Sequence, residues 1–163
     1  MLNVGIVGLG TIGKVVAKAL DDGINGLQLS CIASGRREKA EAFLATLNTP
    51  IEIMSIEEVA ESCEIVVDCA PKVVFAEIAN ATISRGKILV TVSGAGILAN
   101  PDIEKQAAKK KARVILATGA LLGLDAVRAA AEGTINSVKM VTRKPPNALQ
   151  LSLIHISEPT RQP

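Results

Sequence analysis

The order of apolar runs and helical patterns predicts an α/β fold built on a doubly wound, mostly parallel sheet. Three observations carry this reading. Six short runs are rich in Val, Ile and Leu on both faces, helical segments with readable ends lie between them, and a glycine-rich turn directly follows the first run. Strands that are apolar on both faces suit a sheet covered by helices on both sides. Strands alternating with helices mean right-handed βαβ units.

The predicted strands are Leu2–Val7, Leu27–Ala33, Ile51–Met54, Glu64–Ala70, Ile88–Val92 and Arg113–Ala117. The first helix is read over Lys14–Leu20 and the second over Arg36–Ala45. Ser55-Ile-Glu-Glu58 has the form of a capping box, in which Ser55 accepts from the backbone of the first turn and Glu58 reaches back, opening a helix to about Ser62. Val73–Arg85 forms the fourth helix. Asn100-Pro101 offers a cap and a first-turn proline for the next, which ends at Lys109, Lys110 and Lys111, where cations suit the negative end of the helix dipole. The lysine triplet therefore has a structural explanation.

After Ala117 the rhythm changes. Asp125–Glu132 reads as a short helix, and Asn136–Arg143 as a strand of alternating character ended by Pro145-Pro146. A half-exposed strand of this kind suits a second, mostly antiparallel sheet. Residues 1–118 are expected to form one domain and 119–150 the truncated opening of a second, α+β domain. The last thirteen residues, Leu151–Pro163, fit neither. Their run Leu-Ser-Leu-Ile-His-Ile-Ser-Glu-Pro-Thr-Arg resembles translated sequencing-adapter sequence and is expected to be a non-native tail.

Composition excludes several classes of function. The chain of 163 residues carries a net charge of +2 and no Trp or Tyr, so it offers neither a phosphate-tracking stripe nor an aromatic platform for bases. Nucleic acid is not an expected partner. Cys31, Cys63 and Cys69 lack metal-ligand spacing, and His155 is the single histidine, so no metal site is expected. The thiols fall in or beside apolar runs and read as reduced core residues of a cytoplasmic protein. The glycine-broken start is a poor signal peptide, and no apolar run approaches the roughly 20 residues that span a bilayer.

The chemistry is concentrated in Gly8-Leu-Gly10-Thr-Ile-Gly13, a G-x-G-x-x-G placed between strand and helix. In a Rossmann-type dinucleotide site, Gly8 permits the tight turn, Gly10 lets backbone approach a pyrophosphate, and Gly13 packs helix on strand. The helix start at Thr11, Ile12 and Gly13 faces the phosphates. The second strand ends Ala33-Ser34-Gly35-Arg36-Arg37, where a strictly NAD-dependent site carries an acid for the ribose. Ser34 with Arg36 or Arg37 suits a 2′-phosphate instead, so NADP is favoured over NAD. Solvated arginines at a helix start are the alternative. Ala70 and Pro71 after the fourth strand, and Ser93 after the fifth, lie at ligand-binding strand ends. Asp68 is read either as facing the cofactor or as capping its own turn. The small residues Ser93–Gly96 are read either as letting a nicotinamide ribose approach the backbone or as an ordinary tight turn.

The segment Ala117-Thr-Gly-Ala120-Leu-Leu-Gly-Leu-Asp125, followed by Thr142-Arg143-Lys144-Pro145-Pro146, resembles the L-aspartate dehydrogenase family over about residues 1–150. Thr118 stands for the usual Ser, and Leu122 for the first of two paired glycines. The resemblance implies NAD(P)-dependent oxidation of L-aspartate to iminoaspartate, which serves pyridine-nucleotide biosynthesis, in a homo-oligomer when the parent is full length. It places Ala120 against the cofactor. The family's catalytic histidine and a cofactor-contacting asparagine lie beyond residue 150, so no catalytic residue is assigned here, and the fragment is expected to turn over no aspartate. Two rival readings are a related two-domain reductase, of homoserine dehydrogenase or dihydrodipicolinate reductase type, and a non-catalytic nucleotide-binding module.

Overall fold

In the computed structural model, which describes residues 1–117, 123–139 and 141, the chain divides into two units, Met1–Leu122 and Gly123–Pro163. The first is a six-stranded sheet of β1 (Leu2–Val7), β2 (Leu27–Ala33), β3 (Glu52–Ile53), β4 (Ile65–Asp68), β5 (Ile88–Thr91) and β6 (Arg113–Leu116). Its strand order is β3-β2-β1-β4-β5-β6, and every pairing is parallel. The winding therefore reverses at β1, whose neighbours are β2 and β4. A crevice opens at the carboxyl ends of strands at such a switch point.

Helices α1 (Thr11–Gly23) and α2 (Arg37–Leu44) belong to one face; α3 (Ile56–Ser62), α4 (Phe75–Ser84) and α6 (Ile103–Lys110) belong to the other. The strands feed both layers. Val4, Ile6, Leu29 and Ile32 join Ala17, Leu20 and Ala40 in one core. Val7, Cys31, Ala33, Val66 and Leu89 join Val59, Phe75, Ile78 and Ile103 in the other. The β1–β2 register shifts between Val4 and Gly5, which lets Cys31 lie beside Gly5. A Cβ at Gly5 would overlap Val59 Cγ1 and lie 3.0 Å from Cys63 Sγ, so the missing side chain is what seats α3 on the sheet. Cys31 and Cys63 meet there with their sulfurs 3.4 Å apart, and both are free and buried. Contact with Cys63, together with burial, pushes the Cys31 thiol up.

Helix ends follow local chemistry in most places. Ser55 Oγ accepts from Glu58 N at 3.2 Å and the Glu58 carboxylate accepts from Ser55 N at 2.8 Å, which is the expected capping box. Helix α6 closes on Lys109 and Lys110, with Lys111 in the left-handed conformation at φ 56°. Its start differs from the expectation. Asp102 occupies the cap, while Asn100 donates through Nδ2 to Gly96 O at 2.8 Å and so finishes the preceding helix. That helix, α5 (Gly94–Leu98), stands where a tight turn was one of the two readings. Among the described residues no helix is long and apolar enough to cross a membrane.

The second unit contains α7 (Leu124–Ala130), which begins after Gly123 at φ +79°. At 136–139 and 141, the described part of the segment read as a strand, no strand forms. Alternation alone does not make a strand, because its N–H and C=O groups need a neighbouring strand. The described residues of this unit provide none. Ala120, Arg143, Lys144 and Leu151–Pro163 lie outside the described residues.

Candidate cofactor site

The glycine turn joins β1 to α1 at the switch point, and its three glycines have different surroundings. Gly8 has φ +95°, a conformation that side chains rarely adopt. Its N–H donates to Ala33 O at 2.8 Å, tying the turn to the end of β2. A Cβ on Gly8 would lie 2.7 Å from the backbone of Cys69 and Ala70 at the end of β4. Gly13 lies inside α1, which begins at Thr11, three residues before the expected Lys14, and a Cβ there would overlap the Gly8 carbonyl oxygen. Gly8 and Gly13 are thus required by the turn itself.

Gly10 is different. It caps α1 with φ −79° and ψ −163°, values open to any residue, and a Cβ there would meet nothing within 4 Å among the described residues. The only thing a side chain at this position would obstruct is approach from outside. Directly beyond it, Thr11 and the half-exposed Ile12 begin a thirteen-residue helix whose first N–H groups have no carbonyl partner within the helix. Free donors, the positive end of a helix dipole and an unobstructed backbone suit a pyrophosphate. The residues present therefore fit a dinucleotide.

Two clefts flank this turn. One, of about 290 Å³, is lined by Gly10, Thr11, Lys14, Ser34, Arg36 and Lys39 among others. Ser34 Oγ accepts from Arg36 N at 3.3 Å, which fixes the bend between β2 and α2 and sets Arg36 at the cap of α2. Arg37 turns away, pairing with Glu41 at 2.9 Å on the exposed side of α2, and does not line the cleft. Of the two arginines left open by sequence, Arg36 is the one placed beside the turn. Lys14 and Lys39, which sequence reasoning missed, join it. Their signal was available: each sits within one turn of the start of a helix that begins at this crevice.

The other cleft, of about 540 Å³, runs from Gly8 and Ser34 to Ala70 and Pro71 and is walled largely by apolar groups, including Met54, Ile56 and Val73. Ala70 and Pro71 thus line one cleft with Gly8 and Ser34. Beneath them, burial and the neighbouring Asp68 charge push the Cys69 thiol up to about 11, so it stays protonated at neutral pH and is no nucleophile.

Asp68 resolves in favour of the capping alternative. It is buried, accepting from Ala70 N at 3.0 Å and from Thr91 Oγ1 at 2.6 Å. Thr91 Oγ1 in turn accepts from Ser93 N at 2.9 Å. The network ties the ends of β4 and β5 together under the crevice. Ser93 Oγ accepts from Gly96 N at 3.2 Å and caps α5, and Gly96 is pressed against the Phe75 ring. The small residues of this segment therefore pack a helix.

Residues 8–117 match the family described as "Homoserine dehydrogenase, NAD binding domain". Among curated proteins, the chain is 47% identical over 149 residues to an L-aspartate dehydrogenase of Bradyrhizobium diazoefficiens, covering 91% of this chain and 53% of that protein. It is 39% identical over 146 residues to L-aspartate dehydrogenase 3 of Bordetella bronchiseptica, covering 89% and 54%. The chain thus spans about half the length of these relatives. Among solved structures, a probable dehydrogenase from Thermotoga maritima superposes with a TM-score of 0.67 at 20% identity, covering 80% of this chain and 41% of that one. This last likeness is one of fold.

Proposed function

Because the chain belongs to the family of homoserine dehydrogenase NAD-binding domains, we propose that it is the cofactor-binding part of an NAD(P)-dependent dehydrogenase acting on L-aspartate, with NADP preferred. The observation that carries the binding reading is Gly10, a residue that the fold leaves free and that opens the α1 terminus to a pyrophosphate. The apolar cleft beside Ala70 and Pro71 suits the adenine ring. Ser34 and Arg36, in place of an acid, suit a 2′-phosphate. The substrate rests on the names of the relatives.

When bound, the nicotinamide supplies a hydride acceptor for the substrate Cα. This chain's part is to hold the dinucleotide by backbone donors and to orient it along the strand ends. We assign no catalytic residue within it. A base for the amine and donors for two carboxylates would come from further chain, so this chain by itself binds cofactor and turns over no aspartate. We further infer a cytoplasmic, oligomeric parent protein that meets a small-molecule substrate and no nucleic acid.

Calorimetric titration of the chain with NADP and with NAD tests the binding half. Micromolar binding with NADP ahead supports it; absence of binding by a folded chain overturns it. Following NAD(P)H at 340 nm with the full-length protein tests the chemistry, its appearance from NAD(P)+ reporting oxidation of aspartate and its disappearance reporting reduction of aspartate semialdehyde. Activity on aspartate semialdehyde and none on aspartate would favour the reductase that the family description suggests. Binding without either activity would leave a nucleotide-sensing module.

A further inference from the structure

The cleft beside the glycine turn has cations on two walls, and only one wall follows from the β2 end. Arg36 and Lys39 come from the start of α2, and Lys14 comes from α1 across the cleft, with Thr11 and Ser34 adding hydroxyls. No carboxylate lines it among the described residues. The Lys14 ammonium lies 5.2 Å from the centroid of the Phe43 ring, on the last turn of α2. That is within the range of a cation–π contact. An exposed lysine otherwise samples many rotamers, and the ring limits them.

We propose that Lys14 is a specificity-determining residue, the α1 arm of a two-walled anion site that takes the 2′-phosphate of NADP between α1 and α2, with Phe43 holding it in position. The proposal rests on the NADP reading above. A dianionic phosphate presents three terminal oxygens, each able to accept more than one hydrogen bond, which is more capacity and more charge than one bidentate Arg36 and one Ser34 hydroxyl fill. The opposing cations of Lys14 and Lys39 supply the remaining donors. NAD presents a neutral hydroxyl there and gains nothing from them.

The test is calorimetric titration of the full chain, parent and Lys14→Met, with NADP, NAD and adenosine 2′,5′-bisphosphate, each variant's fold being checked by its urea melt. The expected result is that NADP and the bisphosphate weaken about five- to tenfold while NAD stays within about twofold, the size of one exposed charge-assisted contact. Lys14→Arg should retain the preference, and Phe43→Leu should lose part of it. Equal weakening of NADP and NAD would place Lys14 on the pyrophosphate and overturn the proposal, as would no change in either. If the parent prefers NADP and Lys14→Met preserves that preference, this proposal fails and the NADP reading stands. A parent that binds the two dinucleotides alike, or neither, overturns both.

Discussion

Replacing Gly10 by alanine separates what the glycine turn does for the fold from what it does for a ligand. The backbone at Gly10 is extended, with φ −79° and ψ −163°, and the added methyl meets nothing within 4 Å among the described residues. Alanine stiffens the unfolded chain, which favours folding by about 0.4–1 kcal/mol. It is the poorer helix cap, which opposes folding by a similar amount, roughly 0.5–1 kcal/mol. The two nearly cancel, so the urea midpoint should move by no more than about 0.5 kcal/mol equivalent. Binding should respond very differently. A methyl at this point keeps a pyrophosphate off the first-turn N–H groups, and losing even one charge-assisted hydrogen bond costs about 2 kcal/mol, or roughly 30-fold in affinity. The assay is a urea melt paired with calorimetric titration by NADP. A variant that binds NADP within about threefold of the parent would refute the reasoning, because the open space around Gly10 would then have nothing to do with the cofactor. A melt shifted by more than about 1 kcal/mol would refute the steric account.

Other substitutions test the supports of the site. Gly13→Ala drives a Cβ into the Gly8 carbonyl, so it should destabilise by about 1–3 kcal/mol despite the better helix former, as a urea melt would show. Asp68→Ala strands the part-buried Ala70 N–H and the buried Thr91 hydroxyl, and a loss of about 2–3 kcal/mol is expected in the same assay. Gly5→Ala should cost about 2 kcal/mol by lifting Val59, and the double variant with Val59→Ala should recover about 1 kcal/mol of the summed single losses in a mutant cycle. Asp21 accepts from Asn48 N at 2.8 Å and Thr49 N at 3.0 Å, and these donors, Asn48 first, hold its carboxyl below the ordinary 3.8. Its contribution is therefore complete above pH 3.8 and is lost as pH falls through the lower folded value, so Asp21→Asn should be less stable than the parent at neutral pH and converge with it in acid.

Local chemistry made much of this architecture legible. Strands buried on both faces announce themselves as Val/Ile runs, and the Ser55–Glu58 box places a helix start because its reciprocal bonds involve only residues three apart. What escaped notice depended on contacts between distant parts of the chain. Gly94–Leu98 has local ends, Ser93 capping it and Asn100 closing it, but Gly96 is held against the Phe75 ring, 21 residues away, and glycine-rich sequence by itself favours a turn. Asp68 could not be assigned until β4 and β5 were placed side by side, since its decisive partner, Thr91, lies 23 residues away. Lys14 and Arg36 belong to different helices, and only the fold of the crevice brings them to one cleft.

The same distinction governs how much a glycine fingerprint proves. Gly8 and Gly13 are obliged by backbone contacts within the chain, so a domain that bound nothing would still need them to close this turn. Their presence argues for the fold alone. Gly10 has no such obligation, and Lys14, Arg36 and Lys39 line a cleft free of carboxylates among the described residues, where, apart from the Lys14–Phe43 contact, folding gains nothing from gathering like charges. Positive charge collected with no carboxylate lining the cleft among the described residues, next to backbone donors left open, is a local cost that an anion removes. What points to a phosphate-bearing ligand is therefore the set of residues that the fold does not use.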